Sequence, residues 1–203
     1  LDIIGFALAV LLIELTPGPN MAWLSGLAAT EGKRTGLSAV AGVALGLLVN
    51  GMLAALGLAA LLQAAPWLWS ALQWTGAAMM TFLAIDAWRG ANEQNLMQSA
   101  EPTIHRAFIT GALINLLNPK AYIFFAAVAP RFLNGETLSL SNGMLLALVS
   151  ASIATIIHLA IVYTGARAQG WLADPRRTQT ARRIFALVML AVAASFVLSD
   201  LAS

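Results

Sequence analysis

The chain has no cysteine. Disulfides, thiolate nucleophiles and thiolate metal sites are excluded together. Charge is scarce as well. Only 10% of the 203 residues are Asp, Glu, Lys or Arg, against about 25% in an ordinary soluble domain. Histidine is limited to His105, at the edge of a polar linker, and His158, so the His pair that most metal sites need is missing. No Lys/Arg stripe with interleaved aromatics is present, which leaves nucleic-acid binding without support. No nucleophile motif, metal-ligand cluster or cofactor loop is visible either, so we expect no metal, no cofactor and no enzyme.

What the chain has in abundance is apolar surface, 60% of its residues. That is more than 203 residues can hide from water, so the lipid bilayer must be the solvent. A span needs about 20 mainly apolar residues. Candidates fall at 3–24, 36–62, 66–88, 107–131, 141–165 and 183–201. The opening run lacks a basic leader and carries Glu14 and two prolines, so we expect it to be retained as a membrane helix. Gln63-Ala64-Ala65-Pro66 leaves room only for a tight hairpin between the second and third spans.

The polar linker 91–104 separates two groups of three spans, 1–90 and 105–203, within a single transmembrane domain 1–203. Three is odd, so equivalent halves enter the membrane in opposite directions, the inverted-repeat logic of many secondary transporters. Lys33, Arg34, Arg89, Arg106, Arg167, Arg176, Arg177, Arg182 and Arg183 fall on one set of loops. The other set holds Arg131. Positive charge stays cytoplasmic, so both termini are expected outside, in the periplasm where there is one. Trp23, Trp67, Trp69, Trp88 and Trp171 fall near span ends, as an interfacial belt requires, while Trp74 reads as packing. Asp86 with Arg89 reads as an interfacial pair.

Two proline-broken segments interrupt spans one and four: Glu14-Leu15-Thr16-Pro17-Gly18-Pro19-Asn20 and Asn115-Leu116-Leu117-Asn118-Pro119-Lys120-Ala121. A proline inside a helix removes an N–H and frees the carbonyl four residues back. Pro17 frees that of Ile13, Pro19 that of Leu15 and Pro119 that of Asn115. Irregular backbone at membrane depth survives only where it is buried in protein or lines a cavity. The restarted helices have unpaired N–H groups that suit an anion, and the freed carbonyls suit a cation. A zwitterion fits both. Asn20, Asn115 and Asn118 can donate and accept. Structural kinks are the plainer reading of one proline. Two breaks at matching depth, each beside a charge, favour a site.

Glu14 and Lys120 are the intramembrane charges. Each costs roughly 2.5–3.5 kcal/mol even on the lenient insertion scale, and such residues mark function by default. A mutual salt bridge locking spans one and four is the simpler alternative. Burial works against the charge on Glu14 and a nearby Lys120 works for it, so Glu14 is a candidate proton carrier, with His158 as the next. Asn50 divides between interhelical glue and pore lining. Gly42 and Gly46 form a GxxxG that close helix packing explains.

Thr16-Pro17-Gly18-Pro19-Asn20 resembles the first signature of the lysine-exporter superfamily, the LysE/RhtB-type amino-acid exporters. Gly111, Asn115-Leu-Leu-Asn118-Pro119-Lys120-Ala121, Phe124-Phe125 and Pro130-Arg131-Phe132 resemble its second. Gly36-Leu37 and Gly42-Val-Ala-Leu-Gly46 resemble its Gly-rich second helix. The likeness covers nearly the whole chain. Asn50 stands where many relatives carry His, and Asp86 where many carry Gly. The resemblance implies a homodimeric exporter of amino acids or close derivatives in the bacterial inner membrane, driven by the proton-motive force.

The expected protein is therefore an all-α integral membrane transporter of six helices in two inverted halves, with helices one and four broken. Pro17, Gly18, Pro19, Asn20, Asn115, Asn118, Pro119 and Lys120 are its expected substrate-binding residues, Glu14 and His158 its proton-coupling pair. Lys120 and the helix heads would hold the carboxylate, and the freed carbonyls and Glu14 the ammonium. Homoserine, threonine, branched-chain and basic amino acids are all open as substrates. The rivals are a membrane-embedded enzyme using Glu14 and His158, and a small-cation exporter. The latter is disfavoured because Glu14 and Asp86 are the carboxylates within the spans.

Overall fold

Leucine, alanine and valine runs with no water to bond their backbone can satisfy it only as helices. The computed structural model describes residues 1–16, 18–58, 61, 64–92, 100–135, 139–168 and 174–201, and among them there is helix and no strand. The elements are α1 (Ile3–Glu14), α2 (Pro19–Glu31), α3 (Lys33–Ala55), α4 (Pro66–Asn92), α5 (Ala100–Leu116), α6 (Pro119–Ile123), α7 (Leu140–Arg167) and α8 (Pro175–Leu201). A π-helical turn, Phe124–Val128, and a 3-10 turn, Ala129–Phe132, follow α6. Pro17, Gln63, Trp171 and linker residues 93–99 lie outside the described residues.

Among the described residues, four helices are long and apolar enough to cross a bilayer: Lys33–Ala55, Pro66–Arg89, Leu140–Arg167 and Arg176–Leu198. The pair α1 and α2, bent by 58° at the first break, makes a fifth. The chain is thus a multi-pass membrane protein. The fourth expected span, 107–131, is divided between the end of α5, α6 and the tight turns, because Asn118 and Pro119 stop one helix and start the next.

The helix ends follow local chemistry. Asp2 caps α1, its carboxylate accepting the Gly5 N–H at 2.9 Å. Gly18 and Pro19 begin α2, where proline loses nothing because the first N–H groups have no helical partner. Gly32, at φ 88°, ends α2 and starts α3. The second expected span was drawn to 62, but α3 stops at Ala55, and Gly57 follows at φ 93°.

The packing is led by three contacts, α3 on α5, α4 on α8 and α3 on α7. Glycine lets the first approach closely. A Cβ on Gly42 would collide with the Phe108 carbonyl, and one on Gly111 with the Ala39 carbonyl. At Gly46 it would sit 2.8 Å from the Ala112 carbonyl oxygen. This is the small-residue packing that membrane helices use when lipid offers no hydrophobic drive. The core falls in two clusters. One gathers around Leu24, Val43, Met80, Ile114 and Met189. The other, around Phe6, Val10, Phe124, Phe125 and Leu146, seats α1 against the turns after the second break. The Phe6 and Phe124 rings lie 5.4 Å apart.

Basic residues meet at one end of the bundle. Lys33 lies over the Tyr163 ring at 4.1 Å and Arg183 over Trp88 at 5.6 Å. Asp86 does not close on Arg89 in its own helix; it pairs across to Arg106 at 2.8 Å. Two tryptophans also depart from expectation. Trp23 is buried in the core, because α2 is wrapped by α3, α7 and α8, and Trp74 is half exposed on the outer face of α4.

Gly42→Ala should lower stability by roughly 1–3 kcal/mol, because the collision is with backbone that cannot rotate away. Leu45→Ala, on the exposed side of the same helix, should change it by less than about 0.5 kcal/mol. Thermal unfolding of the two purified variants in one detergent measures the difference.

Candidate functional site between the two breaks

Each broken helix leaves carbonyls that need partners, and the fold supplies them from the opposite half of the chain. At the first break, Lys120 donates from Nζ to the Ile13 carbonyl at 2.6 Å and to the Thr16 carbonyl at 3.2 Å. At the second, Asn50 donates from Nδ2 to the Asn115 carbonyl at 3.0 Å. These include the Ile13 and Asn115 carbonyls, which lose the N–H four residues on to prolines 17 and 119 and otherwise accept only a turn N–H, from Thr16 at 3.2 Å and from Asn118 at 3.1 Å. Asn118 caps α6, accepting the Lys120 N–H at 3.1 Å. The Leu116 carbonyl, which that N–H would have served, accepts the Tyr122 hydroxyl at 2.9 Å. Thus the break is rigidly bonded although it is not helical.

The two breaks also brace each other. Asn20, just after Pro19, donates from Nδ2 to Asn115 Oδ1 at 2.8 Å. Lys120, just after Pro119, reaches back to the end of α1. In each case the residue following the proline crosses to the other break.

Between them lies a cavity of about 30 Å³, enough for a water or two and not for an amino acid. Glu14, Gly18, Pro19, Asn20, Asn115, Asn118, Lys120 and His158 all line it. Eight of the eleven residues singled out from the sequence therefore share one wall. Pro17 is not described. Pro119 opens α6. Asn50 is fully buried and sits behind Asn115, committed to its carbonyl.

The polar groups facing this space are incompletely paired. Asn20 Oδ1, Asn115 Nδ2, Ser150 Oγ and His158 Nε2 are buried without a hydrogen-bond partner. Buried polar groups are ordinarily satisfied, so four exceptions around one cavity make it the candidate site. Among the described residues, Glu14 and Lys120 are not in ion-pair contact: the Glu14 carboxylate lies 3.7 Å from His158 Nε2, beyond hydrogen-bond distance, and Lys120 is committed to carbonyls. The expected lock between spans one and four therefore runs from an ammonium to backbone rather than to a carboxylate.

Ser150 was not singled out from the sequence. It lies on α7 two turns before His158, on the same buried face. The signal was present as a Ser–His pair at i, i+8 in an apolar helix, but many membrane serines bond their own helix, as Ser152 does to the Leu148 carbonyl. Directly after α6, the π-helical turn at Phe124–Val128 places the buried Phe124 and Phe125 along the cavity. Such turns recur at functional sites. Among the described residues, no cluster of three His, Asp or Glu side chains is placed to hold a metal ion.

Comparison with known proteins gives the same direction. The family model described as LysE type translocator matches residues 11–200. An uncharacterized membrane protein of Pseudomonas aeruginosa is 32% identical, over 87% of this chain and 85% of its own length. A homoserine/homoserine lactone efflux protein of Salmonella typhimurium is 25% identical, over 94% of this chain and 93% of its own. A threonine efflux protein of Escherichia coli is 26% identical, over 66% of this chain and 68% of its own. No solved structure matches the chain.

Removing Asn50 should expose how far the second break depends on it. Asn50→Leu keeps the volume but leaves the Asn115 carbonyl without that donor. The Asn118 N–H still serves that carbonyl, so the loss is that of one hydrogen bond, about 0.5–1.5 kcal/mol. Thermal unfolding in detergent should show that loss, with faster hydrogen exchange at residues 115–121.

Proposed function

The chain belongs to the LysE type translocators, and from that premise we propose that it exports a small amino acid or close derivative across the bacterial inner membrane in exchange for protons. The observation that carries this reading is the cavity between the two breaks, where unpaired donors and acceptors face one another beside Glu14 and Lys120. A zwitterion needs both signs within a few ångströms. The head of α2 and Asn115 Nδ2 suit its carboxylate, with the Lys120 charge close by at Gly18. Glu14 and Ser150 suit its ammonium. The efflux proteins that resemble the chain support the same substrate class.

The packing supports two inverted halves. α3 meets α7 and α4 meets α8, while α3 on α5 is matched by α7 on α1 and α2. A two-fold axis in the membrane plane produces such reciprocity. The six crossings are then α1 with α2, α3, α4, α5 with α6, α7 and α8. In this reading residues 1–90 and 105–203 are the halves, the termini lie outside, and the functional unit is a homodimer. Because the cavity holds only water-sized space, the breaks must part to admit substrate. Glu14 and His158, 3.7 Å apart, form the proton path.

The deciding experiment is transport in proteoliposomes. An exporter moves labelled amino acid unchanged, an enzyme alters it and a cation carrier ignores it. A panel of neutral and basic amino acids, with homoserine and threonine, identifies the substrate. Glu14→Gln should retain exchange of labelled for unlabelled substrate but lose accumulation driven by a proton gradient, since Gln cannot titrate. Accumulation at the wild-type rate by that variant removes Glu14 as the carrier and makes His158 the next one to change.

Orientation is tested separately. A reporter active only in the cytoplasm, fused after Ser203, should be silent. A bright signal overturns the arrangement of crossings or the charge argument behind it.

A further inference from the structure

The carboxyl end of α1 is an electronegative seat. Its last carbonyls lose the regular helical N–H, Ile13 keeping a turn bond from the Thr16 N–H at 3.2 Å, and such an end carries about half a negative charge. Ile13 lies four residues before Pro17, and its carbonyl turns toward the cavity wall with that of Thr16. The largely buried Glu14 carboxylate adds a full charge to the same wall. In discontinuous membrane helices, unwound carbonyls and half-helix ends of this kind coordinate small cations.

Here the seat is taken by the protein itself. The Lys120 ammonium arrives from the second break and donates to both carbonyls. It passes beside Gly18, its Nζ 3.7 Å from where a Cβ there would stand. No carboxylate is in ion-pair contact with it among the described residues. Its charge is balanced by backbone at hydrogen-bonding distance and by Glu14 at longer range.

We propose that the end of α1 is a binding seat for one small monovalent cation, and that Lys120 is its tethered occupant. The carrier then has no need of sodium or potassium, because the position such an ion would take is permanently filled. This deepens the export reading above only in its transport readout; the seat itself stands on the geometry. It also separates Lys120 from an ordinary capping side chain. Truncation should leave a vacancy that a free cation of the right size occupies.

The test uses wild type, Lys120→Ala and Lys120→Met, purified in detergent and reconstituted in choline buffer. Ethylammonium, sodium or potassium is then added. Lys120→Ala should lose about tenfold or more of substrate exchange and recover part of it, with a saturable rise in melting temperature, as ethylammonium or an alkali cation is titrated in. Lys120→Met fills the same path with an apolar chain and should not recover. Wild type should exchange and melt alike in choline, sodium and potassium. A folded Lys120→Ala protein indifferent to every cation overturns the proposal, and so does an equal response from all three proteins. If Lys120→Ala does not fold, wild type decides: sodium-dependent exchange or melting overturns the proposal, and independence upholds it. If wild type moves no amino acid at all, the export reading fails, while the melting titrations still judge the seat.

Discussion

Backbone carbonyls released by proline inside a membrane must find a donor, and everything at the centre of this protein answers that demand. In water the Ile13 and Asn115 carbonyls would simply be hydrated. In hydrocarbon each keeps only a turn N–H, from Thr16 and from Asn118, and leaving the rest of its acceptor capacity unmet has a cost. The fold meets the cost with an ammonium at one break and a carboxamide at the other, each from a distant part of the chain. That requirement draws α1, α3 and the α5–α6 junction to one point. The polar atoms left over there, on Asn20, Asn115, Ser150 and His158, become the wall of a cavity.

Such long-range bonds work only if the helices come close enough. Glycine on both α3 and α5 provides the distance, since their backbones approach to where a single methyl would collide. Asn50 lies two turns beyond Gly42 on the same face of α3, and this closeness lets a short side chain reach the Asn115 carbonyl. The GxxxG pattern and the polar site are therefore one arrangement. A wider crossing would leave the carbonyl to the Asn118 N–H alone.

The division of labour between the charges also follows from the solvent. At the bundle end the charged groups use water-tolerant contacts, such as Asp86 with Arg106 or Lys33 over Tyr163. In the middle, a Glu14–Lys120 salt bridge would have to repay the desolvation of two full charges. The structure instead gives Lys120 two carbonyls and places His158 near Glu14. A carboxylate left without a bonded cation is better placed to meet a charged ligand or a proton than one locked in a pair.

Much of this was legible in one dimension. Apolar runs of membrane length and helix breakers within two of them depend on local chemistry: hydropathy is a property of consecutive residues, and proline acts on its own turn. Glu14 to Asn20 and Asn115 to Lys120 could be named as a candidate site for that reason. Partners could not be read, because a partner is set by where two helices cross. Ser150 looked like any helical serine, Trp23 like an interfacial anchor, and Lys120 like the natural mate of Glu14. Tertiary packing buried the first two and turned the third toward backbone. The sequence by itself determined that this chain lies in lipid and where its helices must break. Which groups repair those breaks was decided only by the close approach of α3 to α5 and of the two breaks to each other, because a hydrogen bond depends on ångströms that spacing along the chain does not encode.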